Sequence, residues 1–178
     1  MKLDLPPIIN LLHRAEYGTL ATQSLGMPGY PYATGVPNIL DAQHRPILLI
    51  SALAEHTRNL LADPKVSLSV AEPGNGNVQD GQRLTLVGDV KQIPADEALT
   101  GRYLRYLPAA QDYLLLDFIF FRIVPKRVRY IGGVGRMGWI EGEALRATPG
   151  LSLADETALL QAAQALAPRH VTLLGIDP

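Results

Sequence analysis

The sequence contains no cysteine among its 178 residues. This absence excludes disulfides, thiolate zinc sites, iron–sulfur clusters and a cysteine nucleophile. Charge of one sign is not in excess either, because 16 Lys plus Arg stand against 17 Asp plus Glu, for a formal net charge of -1. General nucleic-acid binding therefore has no electrostatic support. The chemistry that remains belongs to histidine, carboxylate and hydroxyl side chains, or to a bound cofactor.

Long hydrophobic runs are also missing. The most apolar stretches, residues 46–53 and 114–121, fall well short of the roughly 20 residues that cross a bilayer. Near the N-terminus, Asp4, Pro6 and Pro7 interrupt the apolar sequence before a signal-peptide core could form. We therefore expect a cytoplasmic protein with no membrane partner. The length favours a single domain over residues 1–178.

Glycine and proline are spread between short apolar runs, which is typical of strands joined by turns. The pattern predicts strands at 18–24, 32–40, 46–51, 65–71, 83–93 and 116–131, with the first three forming an antiparallel meander. Pro125 is expected to divide the last segment into two strands, because proline cannot donate to a ladder. Helices are predicted at 6–16, 52–62, 94–107 and about 152–167, before a final short strand at 171–176. This order predicts an α+β fold, mainly β, with an antiparallel barrel and flanking helices.

Three motifs that often carry chemistry are weak here. Residues 133–138 match the dinucleotide pattern G-x-G-x-x-G, but Trp139 and Ile140 follow where a helix would have to begin, so a glycine-rich turn is the better interpretation. Ser152 is explained by a helix cap better than by a nucleophile elbow. The four histidines, His13, His44, His56 and His170, have no metal-binding spacing.

The junction between the strand at 46–51 and the following short helix is rich in hydrogen-bond donors. Ser51, Thr57 and Asn59 offer neutral donors, and Arg58 offers a charged fork. Together with free amides at a helix N-terminus, these groups suit a phosphate. The alternative is a capped surface helix with an exposed polar face, and composition alone favours that alternative.

A second group of cations lies close to the only tryptophan, Trp139. Its members are Arg122, Lys126, Arg127, Arg129 and Arg136. Such charges commonly solvate an outer strand face. An anionic, flat, aromatic ligand would also use these residue types, with arginine pairing its charge and tryptophan stacking on its ring.

Several segments together resemble the flavin-binding split barrels related to pyridoxamine 5'-phosphate oxidase. The resemblance covers about residues 10–145 and rests on residues 18–22 (Gly-Thr-Leu-Ala-Thr), 33–37 (Ala-Thr-Gly-Val-Pro), 50–60, 62–68, 83–88 and 121–139. The His-Thr-x-Asn-Leu form of 56–60 and the Gly-Gly-x-Gly-Arg form of 132–136 are most similar to the bacterial haem-utilisation branch.

The resemblance implies a homodimer of six- to seven-stranded split barrels with two FMN sites across the subunit interface. Ser51, Thr57, Arg58 and Asn59 would hold the phosphate, while Val36, Pro37 and Asn38 would run beside the isoalloxazine. Arg83 would approach from a neighbouring strand, and Arg136 and Trp139 would lie near the edge of the cleft. The implied activity is an FMN-dependent oxidoreductase acting on a small-molecule substrate, with the flavin performing the redox chemistry and no catalytic side chain. The apolar residues 118–121 are expected to hide one sheet face against the partner.

Two departures from the family pattern count against parts of these assignments, one against a stacking contact at residue 38 and one against the haem branch. Asn38 stands where relatives often have an aromatic residue, and the predicted last helix carries no histidine, whereas a ligand-bearing extension is usual in the haem branch. His170 remains a candidate axial ligand from the C-terminal tail, about residues 150–178, so the alternative is a haem-binding or haem-degrading protein on the same barrel. A dimeric barrel without a cofactor is a third possibility. Vitamin B6 oxidation is disfavoured, because residues 174–178 lack the Arg-Leu ending of pyridoxamine phosphate oxidase.

Overall fold

The computed structural model describes residues 3–72, 81–133 and 135–150, together with Ala154, Thr157 and Ala158. The first half of the chain comprises α1 (Leu5–Arg14), β1 (Tyr17–Gln23), β2 (Pro31–Pro37), β3 (Ile39–Leu40), β4 (Pro46–Ser51), α2 (Glu55–Ala62) and β5 (Lys65–Ala71). The second half comprises β6 (Arg83–Gln92), α3 (Glu97–Tyr106), a 3-10 helix (Pro108–Leu115), β7 (Phe118–Ile131), β8 (Met137–Glu141) and α4 (Gly142–Arg146).

One antiparallel sheet organises the fold, with the strand order β2-β1-β5-β6-β7-β4-β3 and with β8 paired to β7. The sheet curls around a core formed by alternate strand residues and by the apolar face of α1, in which Ile8, Leu11 and Leu12 are buried. The predicted α+β fold, an antiparallel half-barrel with flanking helices, is confirmed. Within the described parts of the chain, no helix is long and apolar enough to cross a membrane.

A second apolar cluster lies on the other side of the sheet, under α3 and the 3-10 helix. Phe120 packs there against Tyr103, with ring centroids 5.3 Å apart, whereas Phe121 points into the barrel core. Both faces of this part of β7 are therefore covered within one chain. Within one chain, α3 and the 3-10 helix cover the side of the sheet that Phe120 faces, and the expectation that residues 118–121 hide a face against a second subunit stays a prediction.

Strand β7 runs through Pro125 without a break, so the predicted division into two strands is wrong. Along one edge of β7, β4 pairs with residues 118–122 and β8 pairs with residues 127–131, so Pro125 lies between these two ladders. Along the other edge, β7 pairs with β6, and the register of this pairing shifts between Val87 and Gly88. A side chain at Gly88 would collide with the carbonyl oxygen of Val124, so glycine permits the close approach of the two strands here.

The predicted strand at 32–40 is two strands, because β2 ends at Pro37 and the backbone N–H of Asn38 donates to the Glu16 carbonyl (2.9 Å). Both antiparallel pairings of the predicted meander are present, β1 with β2 and β3 with β4. The meander is not continuous, because β2 and β4 are separated by four strands in the sheet order. The 3-10 helix has no counterpart among the sequence predictions. The predicted final helix and strand lie outside the described residues, apart from a few helical positions between 154 and 158.

Candidate functional site

A cavity of about 350 Å³ opens between the sheet and the cover formed by α3 and the 3-10 helix. Its walls come from the end of β2, the end of β4, the start of α2 and the cover. The lining residues are Tyr17, Gly35, Val36, Pro37, Leu49, Ile50, Ser51, Ala54, His56, Tyr103, Leu107, Ala109, Ala110, Tyr113 and Phe118. The lining is mainly apolar and includes four large aromatic rings, which suits a flat apolar ligand.

The aromatic wall is ordered by ring packing. Tyr113 stacks on Phe118 with centroids 4.7 Å apart and an interplanar angle of 8°. Tyr103 is almost fully buried, and this burial raises the pKa of its hydroxyl group well above the usual range. Sequence reasoning missed Tyr103 and Tyr113, because the cover reaches the cavity through tertiary packing and no local motif marks it.

Three of the predicted cofactor contacts line the cavity, namely Val36, Pro37 and Ser51. Asn38 follows directly, with only 2% of its surface exposed, and neither polar atom of its side chain has a hydrogen-bond partner. The structure therefore brings the end of β2 and the end of β4 together, as the flavin-site prediction required.

The hydroxyl group of Ser51 is already engaged at the corner between β4 and α2. It donates to Oδ2 of Asp117 (2.9 Å) and accepts from the backbone N–H of Leu53 (3.1 Å). Thr57 is completely buried, and its Oγ1 donates to the carbonyl oxygen of Ser51 (2.7 Å). These contacts close the turn that leads into α2, and Thr57 does not line the cavity.

Asn59 and Arg58 point away from the cavity. Asn59 is 1% exposed; its Nδ2 donates to Oγ1 of Thr22 (3.1 Å), and its Oδ1 accepts from the N–H of Leu25 (3.0 Å). Arg58 is exposed and lines a separate depression together with Leu25, Gly26, Glu55 and Asn59. The four residues predicted to hold a phosphate therefore do not converge on the cavity within this chain.

Arg83 lies beside a second depression that shares Tyr17 and Gly35 with the cavity. The shared residues make the two hollows neighbours. A cation therefore stands next to the apolar cavity, although Arg83 does not line the cavity itself.

Arg136 and Trp139 line neither the cavity nor the depressions beside Arg83 and Arg58. Trp139 is about half exposed, and the guanidinium carbons of Arg127 and Arg129 lie 5.0 and 5.8 Å from its ring centroid. Arg136 belongs to the turn before β8, where its N–H donates to the carbonyl of Gly133 (3.2 Å). A strand follows this turn, as expected for a glycine-rich turn and not for a dinucleotide site.

His56 belongs to the motif at 56–60 but is not among the predicted site residues. It lines the cavity, and its buried Nε2 has no hydrogen-bond partner. Burial lowers its pKa, which favours the neutral imidazole at physiological pH. In the parts of the chain that the structure describes, no group of three or more His, Asp or Glu side chains could hold a metal ion. His170 lies outside the described residues.

Comparison with known proteins finds a matching family and similar proteins. Residues 8–132 match the pyridoxamine 5'-phosphate oxidase family. The chloroplastic haem oxygenase HOZ of Arabidopsis thaliana is 40% identical over 129 residues, which cover 71% of this chain and 40% of that protein. The haem oxygenase HutZ of Vibrio cholerae is 26% identical over 140 residues, covering 74% of this chain and 79% of HutZ. These matches confirm the resemblance drawn from the sequence motifs.

Solved structures agree with the sequence matches. A haem-binding protein from Mycobacterium smegmatis superposes with a TM-score of 0.68 and 32% identity, over 80% of this chain and 61% of that one. The chain thus spans less than two thirds of both relatives, 40% of the Arabidopsis protein and 61% of the Mycobacterium chain.

Proposed function

Because this chain belongs to the pyridoxamine 5'-phosphate oxidase family, we propose that it uses the barrel of that family to bind haem and that it acts in haem utilisation as a haem oxygenase. The observation that carries the proposal is the aromatic cavity, which offers a flat, mainly apolar surface. The named relatives that share its sequence are haem oxygenases or haem-binding proteins. Haem is the small-molecule substrate in this proposal.

The placement of the ligand follows from its chemistry. Haem is a flat apolar ring with two carboxylates at one edge, so its ring suits the cavity between Pro37 and the Tyr113–Phe118 stack. A carboxylate suits Arg83, whose depression adjoins the cavity at Tyr17. This arrangement keeps Val36, Pro37 and Arg83 as ligand contacts.

FMN is the second candidate, since Val36, Pro37 and Ser51 line the cavity as the flavin prediction required. FMN is less favoured, because the polar groups of Thr57 and Asn59 already form hydrogen bonds within the protein. The test is the visible spectrum of the purified protein, followed by titration with hemin. A Soret band at one hemin per site supports haem, and its loss on adding a reductant in air supports degradation. A bound flavin released on denaturation, with no Soret band, contradicts the proposal.

Replacement of Arg83 by alanine is expected to weaken hemin binding by about 2 kcal/mol, or roughly thirtyfold, because a charge-assisted hydrogen bond is lost. Arg58→Ala is the matched control, since it removes the same charge from an exposed site outside the cavity. Hemin titrations of both variants measure the difference. The opposite ranking would refute the proposed carboxylate contact; weaker FMN binding in Arg58→Ala would support the flavin alternative.

A homodimer with the ligand at the subunit interface remains part of the proposal. Large apolar side chains near the cavity are exposed in the single chain, with Tyr17 at 66% and Leu115 at 82% exposure. Covering them with a second copy would complete the open side of the cavity. Light scattering of the hemin complex is expected to give twice the mass of the 19.3 kDa chain. A monomer that binds hemin would rule out the interface site.

A further inference from the structure

The corner where β4 meets α2 holds a carboxylate. Asp117 precedes β7 and reaches Ser51, 66 residues earlier, through the contact between Oδ2 and the serine hydroxyl (2.9 Å). The backbone supports this position, because the N–H of Ala52 donates to the carbonyl of Asp117 (2.8 Å). Asp117 itself is exposed. Its negative charge therefore lies beside the hydroxyl group of Ser51, a residue that lines the cavity.

Three hydrogen-bond donors of this corner are already in use. The Ser51 hydroxyl donates to Asp117, and the N–H groups of Thr57 and Arg58 both donate to the carbonyl of Ala54 (3.1 and 3.2 Å). Glu55 occupies the first turn of α2, where its negative charge complements the helix dipole. A phosphate needs free donors and positive charge, and this corner presents a carboxylate and a satisfied hydroxyl. At Ser51 and Asp117, the residues present therefore do not fit the phosphate of FMN.

We propose that Asp117 is a specificity-determining residue that keeps phosphorylated ligands out of the aromatic cavity. Its carboxylate repels a dianion, and its hydrogen bond with Ser51 occupies the donor that a phosphate would use. Flat ligands without a phosphate at this corner do not meet this barrier. The proposal rests on the cavity as the ligand site and does not require that the ligand be haem.

FMN and riboflavin isolate this effect, because they differ only by the phosphate group. Both would be titrated into the unsubstituted protein and into Asp117→Asn, with flavin fluorescence as the readout. The asparagine keeps an acceptor for Ser51 and removes the charge. Asp112→Asn is the matched control, since Asp112 is an exposed acid of the 3-10 helix that does not line the cavity.

The unsubstituted protein is expected to bind FMN no more tightly than riboflavin. Asp117→Asn should raise the affinity for FMN relative to riboflavin about tenfold, from the removal of one charge a few ångströms from a dianion in a largely aqueous setting. Asp112→Asn should leave this ratio unchanged. High salt should favour FMN in the unsubstituted protein by screening the repulsion.

Either of two results would overturn the proposal. One is an unsubstituted protein that binds FMN at least tenfold more tightly than riboflavin; the other is an Asp117→Asn variant with no gain for FMN, including one that binds neither flavin. Hemin titration of the unsubstituted protein tests the proposed function separately. Failure to bind hemin with a shifted flavin ratio would refute haem and leave the role of Asp117 intact.

Discussion

Asn59→Ala is expected to lower the free energy of unfolding by about 3 kcal/mol, because it removes two hydrogen bonds of a buried side chain. The N–H of Leu25 and the hydroxyl of Thr22 both bond to the amide of Asn59. These bonds attach α2 to β1 and to the turn after it, across 34 and 37 residues of sequence. The loss is expected with or without a ligand, which separates a structural role from ligand binding.

The neighbouring residue supplies the control for this prediction. Arg58→Ala changes an exposed helix position and should alter stability by less than about 0.5 kcal/mol. Urea unfolding of the three proteins, followed by circular dichroism, measures the difference. An Asn59→Ala variant with unchanged stability and weakened cofactor binding would instead make Asn59 a ligand residue.

Acidification from pH 6.5 to about pH 4 is expected to cost the folded protein about 2 kcal/mol of stability through His13. Burial, together with the nearby His44 and Arg102, lowers the pKa of His13 from 6.5 to about 4. Between these two values the unfolded chain binds a proton that the folded chain does not bind. The contribution of the neutral imidazole is therefore complete above pH 6.5 and is lost as the pH falls to 4.

The structural cause is the pairing of two imidazoles. Nε2 of His13 lies 3.2 Å from Nδ1 of His44, and the rings meet edge to face. Two charged rings at this distance would repel each other. His44 is also held in a left-handed conformation (φ 57°), which fixes its ring in the turn between β3 and β4.

The control is His13→Gln, which keeps a hydrogen-bond donor for His44 and does not titrate. The difference in unfolding free energy between pH 7 and pH 4.5 should be smaller in this variant by about 2 kcal/mol. The contribution of His56, whose pKa burial also lowers, remains in both proteins and cancels in the comparison. Identical pH dependence in the two proteins would show that His13 is not responsible.

The sequence by itself determined the fold class, the family and most of the strands. Its alternating apolar residues and its turn residues report the local backbone, and these signals act over a few positions. The predicted strand at 65–71 is present for this reason. The motif at 56–60 indicated a similarity to the haem-utilisation branch, and the matches to HOZ and HutZ agree with it.

Tertiary structure alone decided which side chains line the cavity. Three donors that are near neighbours in the sequence have different partners in the structure. Ser51 donates to Asp117, Thr57 to the Ser51 carbonyl, and Asn59 to Thr22. Tyr103 and Tyr113 enter the wall because α3 and the 3-10 helix fold over β4 and β7. Such pairings depend on strand order and on helix packing between residues far apart in the chain, and no local pattern encodes them.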